Sequence, residues 1–569
     1  MKSFLSCVLF GAVSSALGQG VVPPAPSASA AAPATISVDF ANKVGPYKPI
    51  YSWFGYDEAN YTTMRDGKAL LRELRDLSPV PVYIRAHHLL TSGDGKAELK
   101  FSSTNVYRED ASGKPIYDFT ILDGIFDEYK AAGVRPMVEF GFMPKDLAAE
   151  LPNRHEPYQV HYPKSAISGA SNNPPKDYKK WGELIRVVTK HFVERYGKET
   201  VLTWYFEVWN EPDIDYWHST PEDYWKLYDY AVTNVKGVLP TARVGGPATT
   251  SPAGEHAYGY LKGFLDHVQS GKSLADGKPI PLDFISFHAK GRPTIVDQRV
   301  TMGIKHELSD ADRGFSLISQ YPKYRNLPII ISEADPEGCA ACSSRVNPAN
   351  NYRNGTLYPA YTAAAFKALF ELQDKHKVNL LSMLSWSFEF EDKDYFEGFR
   401  SLSTNGINKP VLNLFRMFGL MSGTRVAATS DASVPLATLV STGVRDKTDV
   451  DGMAAIDDRK ATVLLWNYHD ADMAAEATPT NVKLSGLPPT AKRVLVQHYR
   501  IDETHSNAYT LWKSMGSPQQ PTTEQYQQLK AAAGLQLLTS PEWVDVIDGK
   551  LELKTELPRQ SISLVKITW

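Results

Sequence analysis

Between Pro49 and Phe418 the chain alternates short apolar runs with longer stretches in which apolar residues recur every three or four positions. The short runs predict buried β-strands, and the longer period predicts amphipathic helices. Eight runs predict strands, at residues 50–54, 82–85, 137–141, 204–208, 243–246, 284–288, 329–332 and 380–388. Strands that alternate with helices pair in parallel, and each helix forms the crossover to the next strand.

The helical spacing is clearest in two of the longer stretches. One face carries Ile121, Ile125 and Phe126 before Gly133 ends the pattern, and another carries Trp181, Leu184, Ile185, Val188 and Phe192. Eight strand–helix repeats over roughly 370 residues predict an α/β fold, a (β/α)8 TIM barrel with insertions. A doubly wound open sheet is the alternative, but no predicted strand is followed by the Gly-rich turn that binds dinucleotides.

The pattern changes in the last quarter of the chain, where short runs of alternating polarity replace the strand–helix repeat. The clearest of these runs lie at residues 461–466, 493–499 and 561–567. They predict a β-sandwich, in which residues 521–533 form a short helix. We therefore expect a barrel at residues 46–420 and an accessory C-terminal β-sandwich domain at residues 421–569. A strand at residues 36–45 is expected to join the sandwich.

The amino-terminal segment has the pattern of an export signal. In residues 1–19, Lys2 precedes an apolar run that small residues follow, as in a signal peptide. The run is too short to cross a bilayer, and no later segment approaches the length of about 18 apolar residues that a span needs. Residues 20–35 are rich in Pro, Ala and Ser and predict a linker. We therefore expect a secreted, extracellular protein without a membrane partner.

The composition and the Cys content agree with secretion. Of 569 residues, 43% are hydrophobic and 22% charged, with a net charge of −3; this is typical of a soluble globular protein and does not favour nucleic acid as a partner. The oligomeric state is not indicated. Cys7 would leave with the signal peptide, and the remaining Cys339 and Cys342 can form a disulfide in an oxidising compartment. Without two further Cys or His at suitable spacing, no metal site is expected.

Two carboxylates lie at predicted strand ends, where the active sites of barrels are found. Glu211 closes the run YFEVWNEP, and Glu333 directly follows the apolar run PIIIS. Strands four and seven face each other across an eight-stranded barrel. A retaining glycosidase needs an acid and a nucleophilic carboxylate about 5–5.5 Å apart, and this pair meets the requirement if the barrel forms.

Each of these carboxylates also has a simpler interpretation. A lone Glu at a strand end is more often a salt-bridged rim residue than a catalytic one, but a pair at these two ends favours catalysis. Asp335 and Glu337 are alternative nucleophiles. We prefer Glu333 because it alone adjoins the strand, where packing holds it in position, whereas the other two lie on a loop.

Longer motifs extend along the chain: FGYDEANY (54–61), VYIRAHHLL (82–90), YDFTILDGIFDEY (117–129), GVRPMVEFGFMP (133–144), PPKDYKKWGELI (174–185), FEVWNEPD (206–213), ISEADPEG (331–338) and YRIDETHSNAYTLWKSMGSP (499–518). Together they resemble the family-39 glycoside hydrolases, which include β-xylosidases and α-L-iduronidases. The resemblance implies that Glu211 is the acid/base and Glu333 the nucleophile. It further implies a pocket for the non-reducing-end sugar lined by His87, Asn210, His288 and Trp386. It implies a carbohydrate substrate, no cofactor and no metal.

One position departs from the xylosidase pattern. β-Xylosidases of this family often carry His-Ala-Tyr after strand six, whereas this chain has Lys290 two residues after His288. A Lys there is similar to the α-L-iduronidases, whose Lys meets a sugar carboxylate. Three roles fit Lys290: it selects a uronic acid, it stabilises the ionised nucleophile, or it pairs with Asp335 or another rim acid.

These observations favour a retaining, exo-acting β-xylosidase that releases xylose from xylo-oligosaccharides. In this hypothesis Glu333 attacks the anomeric carbon and Glu211 first donates and then removes a proton. Glu211 must then be protonated at the working pH, which requires a pKa raised by burial or by the neighbouring charge of Glu333. The alternatives are the same mechanism on an α-L-iduronoside, β-glucuronoside or α-L-arabinoside, and a non-catalytic carbohydrate-binding protein.

Overall fold

The computed structural model describes residues 32–99, 102–158, 169–296, 299–386 and 388–569. The predicted signal peptide, residues 1–19, and most of the predicted linker lie outside the described residues. The last residues of that linker belong to a long strand, Ala34–Pro46, which contains the strand predicted at residues 36–45.

The centre of the molecule is a closed barrel of parallel strands, as predicted. Barrel strands 1 to 8 are Trp53–Tyr56, Tyr83–Ala86, Arg135–Phe140, Tyr205–Val208, Arg243–Thr249, Phe284–Lys290, Pro328–Asp335 and, in two pieces, Asn379–Met383 and Ser385–Trp386. They pair in chain order. The first piece of strand 8 pairs with strand 7 and the second pairs with strand 1, which closes the barrel.

A helix follows every barrel strand and covers the outside of the barrel. The eight helices are Arg65–Arg75, Thr120–Ala132, Tyr178–Tyr196, Pro221–Val238, Glu255–Ser270, Ile304–Ser319, Leu357–His376 and Pro410–Leu420. Their apolar faces pack against the strands in one large core. Local sequence sets their ends: the Asp177 side chain accepts hydrogen bonds from the first turn of the third helix, and Gly133 ends the second with a φ of 78°.

The side chains inside the barrel form layers, because alternate residues of a strand point to the same face. A floor of large apolar side chains fills one end of the barrel: Trp53, Tyr83, Met137, Tyr205, Phe284, Ile330 and Leu384. Two residues further along their strands, Arg85, Glu139 and Glu207 form a fully buried charged layer. His87 lies two residues beyond Arg85, directly after strand 2, and His288 lies four residues beyond Phe284 in strand 6. The apolar floor thus supports polar side chains at the carboxyl ends of the strands.

The β-sandwich domain contains ten strands in one mixed sheet. Ala34–Pro46 pairs in parallel with Thr478–Ser485 and antiparallel with Thr424–Ser430, so both ends of the chain build this domain. The other strands are Asp449–Asp457, Lys460–Tyr468, Arg493–Ile501, Gln536–Leu537, Glu542–Asp545, Leu551–Leu557 and Ser561–Thr568. Apolar side chains from both ends of the sheet share one core.

Side chains of the barrel also pack against those of the β-sandwich domain. The helix Leu357–His376 lies between the two domains, and its Tyr361 ring contacts Tyr468 of the sandwich edge to face, with ring centroids 6.0 Å apart. The predicted helix at residues 521–533 spans Thr523–Ala532 and begins with a capping box between Thr522 and Gln525.

Within the described ranges, no helix combines the length and the apolar character that crossing a membrane requires.

Candidate active site

Glu211 lies in a sharp turn directly after barrel strand 4. The backbone φ of Glu211 is 44° and that of Trp209 is 71°, a left-handed conformation that residues other than Gly rarely adopt. Strained backbone of this kind is concentrated at functional sites. The Glu211 amide donates a hydrogen bond of 2.9 Å to the Ala248 carbonyl, which anchors the turn to the end of strand 5. The side chain of Glu211 is therefore held at the mouth of the barrel.

Glu333 lies within barrel strand 7, at an irregularity of the strand pairing. Ile331 pairs with Phe287 of strand 6, but Glu333 pairs with the next residue, His288, so Ser332 is an extra residue. A bulge of this kind redirects the side chains that follow it. Glu333 is only 3% exposed, and it reaches the same level of the barrel as His288.

The two carboxyl groups meet across the barrel. Carboxylate oxygens of Glu211 and Glu333 and a ring nitrogen of His288 all lie within 4.8 Å of one another. His288 Nδ1 is 2.8 Å from Glu211 Oε1 and 3.7 Å from Glu333 Oε1. This separation of the carboxyl groups is close to that of retaining glycosidases and shorter than the roughly 6.5–9.5 Å of inverting ones.

Lys290 lies between the two carboxylates. Its Nζ is 3.0 Å from Glu211 Oε1 and 2.5 Å from Glu333 Oε2. These contacts correspond to the third role considered for Lys290, pairing with acids at the site. The acids are Glu211 and Glu333, the two catalytic candidates. Asp335, whose backbone pairs with that of Lys290, binds a different cation.

The electrostatics of the pair differ from the expectation for a catalytic acid. Burial raises the pKa of Glu211, but Lys290 and His288 outweigh burial and hold the pKa below its usual range. Burial also raises the pKa of Glu333, but His288 and Lys290 outweigh burial, so the pKa is lowered. The expected raised pKa of Glu211 is therefore wrong for this arrangement, because Lys290 stabilises both ionised carboxylates. The charge of Lys290 therefore favours the ionised form of Glu211 and opposes its use as a proton donor.

Arg85 lies at the centre of the buried charged layer beneath Glu211 and Glu333. Its guanidinium is 2.6 Å from Glu207 Oε2, 2.9 Å from Glu139 Oε2 and 3.3 Å from Glu333 Oε1. It also donates a 2.9 Å hydrogen bond to Asn210 Oδ1. Arg85 thus orients both the nucleophile candidate and Asn210. Arg85 is not among the site residues predicted from the sequence, although an Arg within an apolar strand run is a signal that could indicate it.

Replacement of Arg85 by Met is expected to lower the free energy of unfolding by about 3–5 kcal/mol, because it leaves buried carboxylates without their partner. Urea unfolding monitored by circular dichroism measures this loss. The control is Arg186→Met, which removes a surface ion pair with Glu183 at 2.5 Å and should cost at most about 1 kcal/mol. Equal losses in the two variants would contradict the role of Arg85.

His87 and Trp386 form one wall of the site. Their rings lie 4.1 Å apart, and both side chains are almost fully buried. His87 Nδ1 is 2.6 Å from Asp57 Oδ1, and His87 Nε2 is 3.0 Å from Glu139 Oε2. Trp386 packs directly on Gly55, where an added Cβ would lie 2.3 Å from the ring, so the position admits only Gly. His87 is therefore held in place by carboxylates at both ring nitrogens.

The charge of His87 has a consequence for stability against pH. Burial lowers the pKa of His87, but the Glu139 and Asp57 carboxylates outweigh it and raise the pKa to about 10. A raised pKa stabilises the folded state fully below the unfolded pKa of about 6.5, and this stabilisation is lost as the pH rises through about 10. The wild-type free energy of unfolding should therefore fall by on the order of 2–4 kcal/mol from pH 6 to pH 10 relative to His87→Gln. Parallel pH profiles would contradict this assignment.

Asp335 and Glu337, the alternative nucleophiles, belong to a separate ion-pair network. Arg400, which is fully buried, forms ion pairs with both, and its Nε is 2.7 Å from Glu337 Oε1. Asp335 also accepts the Trp386 backbone amide at 3.0 Å. Both acids are thus engaged in joining the loops after strands 7 and 8. Cys339 and Cys342 form a disulfide in the same loop.

Two groups of three side chains in the described part of the chain place potential metal ligands within 4.8 Å of one another. They are Asp57 with His87 and His88, and Glu211 with His288 and Glu333. In the first group His87 Nδ1 already lies 2.6 Å from Asp57 Oδ1, and in the second the Lys290 ammonium lies against both carboxylates.

A family model, glycosyl hydrolases family 39, matches residues 36–543. The chain is 29% identical over 502 residues to a β-xylosidase of Geobacillus stearothermophilus, covering 85% of this chain and 86% of that protein. It is 23% identical to an α-L-iduronidase of Mus musculus, covering 95% of this chain and 82% of that protein. A monomeric β-xylosidase of Caulobacter crescentus CB15 has the same fold, with a TM-score of 0.72 at 21% identity over 94% of this chain and 99% of that chain.

Proposed function

This chain belongs to glycosyl hydrolase family 39, and we propose that it is a retaining, exo-acting β-xylosidase that releases xylose from xylo-oligosaccharides. Family membership makes it an O-glycosyl hydrolase, so the alternative of a non-catalytic carbohydrate-binding protein is not retained. The observation that carries the proposal is the pair of carboxylates, with oxygens within 4.8 Å of each other, at the carboxyl ends of barrel strands 4 and 7.

The proposed mechanism has two displacements. Glu333 attacks the anomeric carbon, the glycosidic C–O bond breaks, and the leaving oxygen takes the proton of Glu211. In the second step Glu211 removes a proton from water, the water oxygen attacks the same carbon, and Glu333 is released. Glu333 suits the nucleophile because Arg85, Lys290, His87 and His288 all lie close to it, and these groups favour a carboxylate that is ionised before attack.

Two observations bear on which sugar the enzyme cleaves. The β-xylosidase relatives support xylose. Lys290 supports a second candidate, a uronoside, because a sugar carboxylate could replace one of the two carboxylates that Lys290 contacts at 2.5 and 3.0 Å. Nitrophenyl glycosides of β-D-xylose, β-D-glucuronic acid, α-L-iduronic acid and α-L-arabinose test the choice directly. The highest kcat/KM is expected for the xyloside, and a preference for either uronoside would replace xylose in the proposal.

Replacement of Lys290 by Gln is expected to move the optimum of kcat/KM upward by about one pH unit or more. Without the Lys290 charge, the pKa of both Glu211 and Glu333 rises, so the alkaline and the acidic limbs of the pH profile both shift to higher pH. Lys262→Gln, which removes an exposed cation on the outer helix Glu255–Ser270, is the control and should leave the optimum in place.

The same variant separates the two roles of Lys290. With a xyloside, kcat/KM measured at the new optimum should fall by less than about tenfold. With a uronoside, loss of the charge-assisted hydrogen bond to the sugar carboxylate should lower kcat/KM by about 100-fold at every pH. An unchanged pH optimum together with unchanged kcat/KM on all sugars would contradict any role of Lys290 at the site.

Exo action and secretion are also part of the proposal. Exo action is supported by the β-xylosidase relatives, and secretion by the signal-peptide pattern of residues 1–19. In a time course on a longer xylo-oligosaccharide such as xylohexaose, the first products should be xylose and xylopentaose, whereas initial release of xylobiose and xylotriose would indicate endo action. Amino-terminal sequencing of the protein from the culture medium should begin after residue 19, and recovery of the intact amino terminus from inside the cells would contradict secretion.

A further inference from the structure

Barrel strands 4 and 5 remain in contact beyond the end of their backbone pairing, through the turn that carries Glu211. The pairing ends at Glu207 and Gly245, and the Glu211 amide then bonds to the Ala248 carbonyl at 2.9 Å. Between these two contacts the chain advances by four residues on the side of strand 4 and by three on the side of strand 5. Trp209 and Glu211, both with left-handed backbone, lie in the longer segment. Strained backbone of this kind persists only where surrounding contacts hold it.

Asp213 supplies the next contact between the two segments. It lies two residues after Glu211, and Thr250 lies two residues after Ala248, directly beyond strand 5. The Thr250 amide donates a 2.9 Å hydrogen bond to Asp213 Oδ1, and the Thr250 hydroxyl donates to Asp213 Oδ2. His256 Nε2, in the helix that follows strand 5, lies 2.6 Å from the Asp213 carbonyl oxygen. The segment after Glu211 is therefore bound to the end of strand 5 through both the side chain and the backbone of Asp213.

The contact between Asp213 and Thr250 is shielded from water. Asp213 is 5% exposed. Burial raises the pKa of the Asp213 carboxyl, and the two hydrogen bonds from Thr250 offset this only in part. A buried carboxylate is costly unless it is hydrogen-bonded, and hydrogen bonds to an ionised acceptor are about twice as strong as neutral ones. The contact is thus suited to holding a strained turn in one conformation.

The position of the turn matters for the chemistry of Glu211. Its carboxylate lies 2.8 Å from His288 Nδ1 and 3.0 Å from Lys290 Nζ. A general acid must also place its proton within hydrogen-bond reach of the leaving oxygen. A displacement of about 1 Å at a reacting group can lower the rate by about 100-fold. A contact two residues from Glu211 can therefore affect proton transfer without touching the substrate.

We propose that Asp213 is a positioning residue for the acid/base: its contact with Thr250 holds the turn after strand 4 so that the Glu211 carboxyl faces the leaving oxygen. The inference rests on the proposed function, because it requires Glu211 to be the proton donor. It assigns Asp213 neither a contact with the substrate nor a proton transfer. Loss of the contact should therefore reproduce, in weaker form, the loss of Glu211 itself.

The test measures Asp213→Ala on alkyl and dinitrophenyl glycosides of the sugar that the nitrophenyl series selects. For the alkyl glycoside, kcat/KM should fall by about 10- to 100-fold, because its leaving group needs the proton. For the dinitrophenyl glycoside, kcat/KM should fall by less than about threefold, because that group departs without a proton. Its kcat should fall further and azide should restore it, since the second displacement needs Glu211 as a base. Retained kcat/KM on this substrate shows that the variant is folded and that its nucleophile is intact.

Two further variants separate the hydrogen bonds of Asp213 from its charge. Asp213→Asn keeps an oxygen for the Thr250 amide and offers an NH2 group to the Thr250 hydroxyl, which can accept. This variant should stay within about threefold of the wild type on both glycosides. Thr250→Val removes only the hydroxyl and should lower kcat/KM for the alkyl glycoside by about threefold to fivefold. In the Asp213→Ala background the same change should have no further effect, because its partner is already absent.

Asp449→Ala is the matched control. Asp449 is a carboxylate of the β-sandwich domain that is 1% exposed and accepts the Val434 amide at 2.7 Å and Trp466 Nε1 at 2.9 Å. Its loss therefore removes a buried carboxylate with two hydrogen bonds, as at Asp213, but outside the barrel. It should change kcat/KM by less than about threefold, and by the same factor for every leaving group.

Three results would overturn the proposal. Equal losses on both glycosides in Asp213→Ala would make Asp213 a structural residue, and losses in Asp213→Asn as large as those in Asp213→Ala would make its charge the essential property. Additive effects of Asp213→Ala and Thr250→Val would remove Thr250 as its partner. Glu211→Ala, measured on the same glycosides, distinguishes this failure from that of the proposed function. A uniform loss in Glu211→Ala would overturn both, whereas dependence on the leaving group in Glu211→Ala alone would overturn only the role of Asp213.

Discussion

Replacement of Glu333 by Gln is expected to lower kcat by about 10⁴-fold or more, because the amide cannot form the covalent intermediate on which both displacements depend. The loss should be similar for substrates with good and with poor leaving groups, since the nucleophile is needed for both. Release of nitrophenol from an aryl glycoside measures it, with near-ultraviolet circular dichroism to show that the variant is folded.

Glu337→Gln provides the comparison for that experiment. Glu337 was an alternative nucleophile from sequence, but it forms ion pairs with Arg353 and Arg400. This variant should retain turnover on a phenyl glycoside within about tenfold while losing stability, because a buried cation loses its partner. Near-normal turnover in Glu333→Gln, or loss of turnover in Glu337→Gln with the fold preserved, would reverse the assignment.

Replacement of Glu211 by Ala should have an effect that depends on the leaving group. A poor leaving group such as an alcohol or a second sugar needs the proton, and its kcat/KM should fall by about 10³-fold or more. An activated leaving group such as dinitrophenolate departs without a proton, so its cleavage step should be little affected, and the glycosyl-enzyme should accumulate because no base activates water. A series of aryl glycosides of increasing leaving-group acidity measures this dependence.

Addition of azide is the control for Glu211→Ala. Azide needs no general base, so it should attack the accumulated glycosyl-enzyme, restore turnover of the activated substrate and give a glycosyl azide with the configuration of the substrate. A uniform loss across all leaving groups, without rescue by azide, would contradict the acid/base role of Glu211.

The sequence was sufficient to predict the barrel because the relevant signal is local. Each of the first seven apolar runs corresponds to one buried strand, and turn and helix signals bound it, so the bounds of strand 4 were predicted to within one residue. The prediction of the eighth strand was less accurate, because the single run at residues 380–388 corresponds to two strands, Asn379–Met383 and Ser385–Trp386. The break lies where the strand exchanges one neighbour for another to close the barrel, and such pairing between distant segments leaves no local pattern.

The candidate carboxylates could also be located from sequence, whereas their electrostatics could not. Strand ends place Glu211 and Glu333 on the same face, but the pKa of each depends on which side chains point inward from other strands. Arg85 and Lys290 come from strands 2 and 6, and their contacts with Glu333, at 3.3 and 2.5 Å, depend on the layering inside the closed barrel and on the extra residue in strand 7. The pattern of polar and apolar residues along the chain does not show how side chains from different strands align inside the barrel.

The proposed mechanism depends on Glu333 forming a bond to the sugar while Glu211 faces it across the barrel. Incubation with a 2-deoxy-2-fluoro xyloside that bears an activated leaving group traps such an intermediate, because the fluorine slows its hydrolysis. Peptide mass spectrometry should then find one fluorosugar attached to the peptide that contains Glu333, specifically on that residue. Attachment to Asp335 or Glu337, or turnover with inversion of configuration and no attached sugar, would contradict this account.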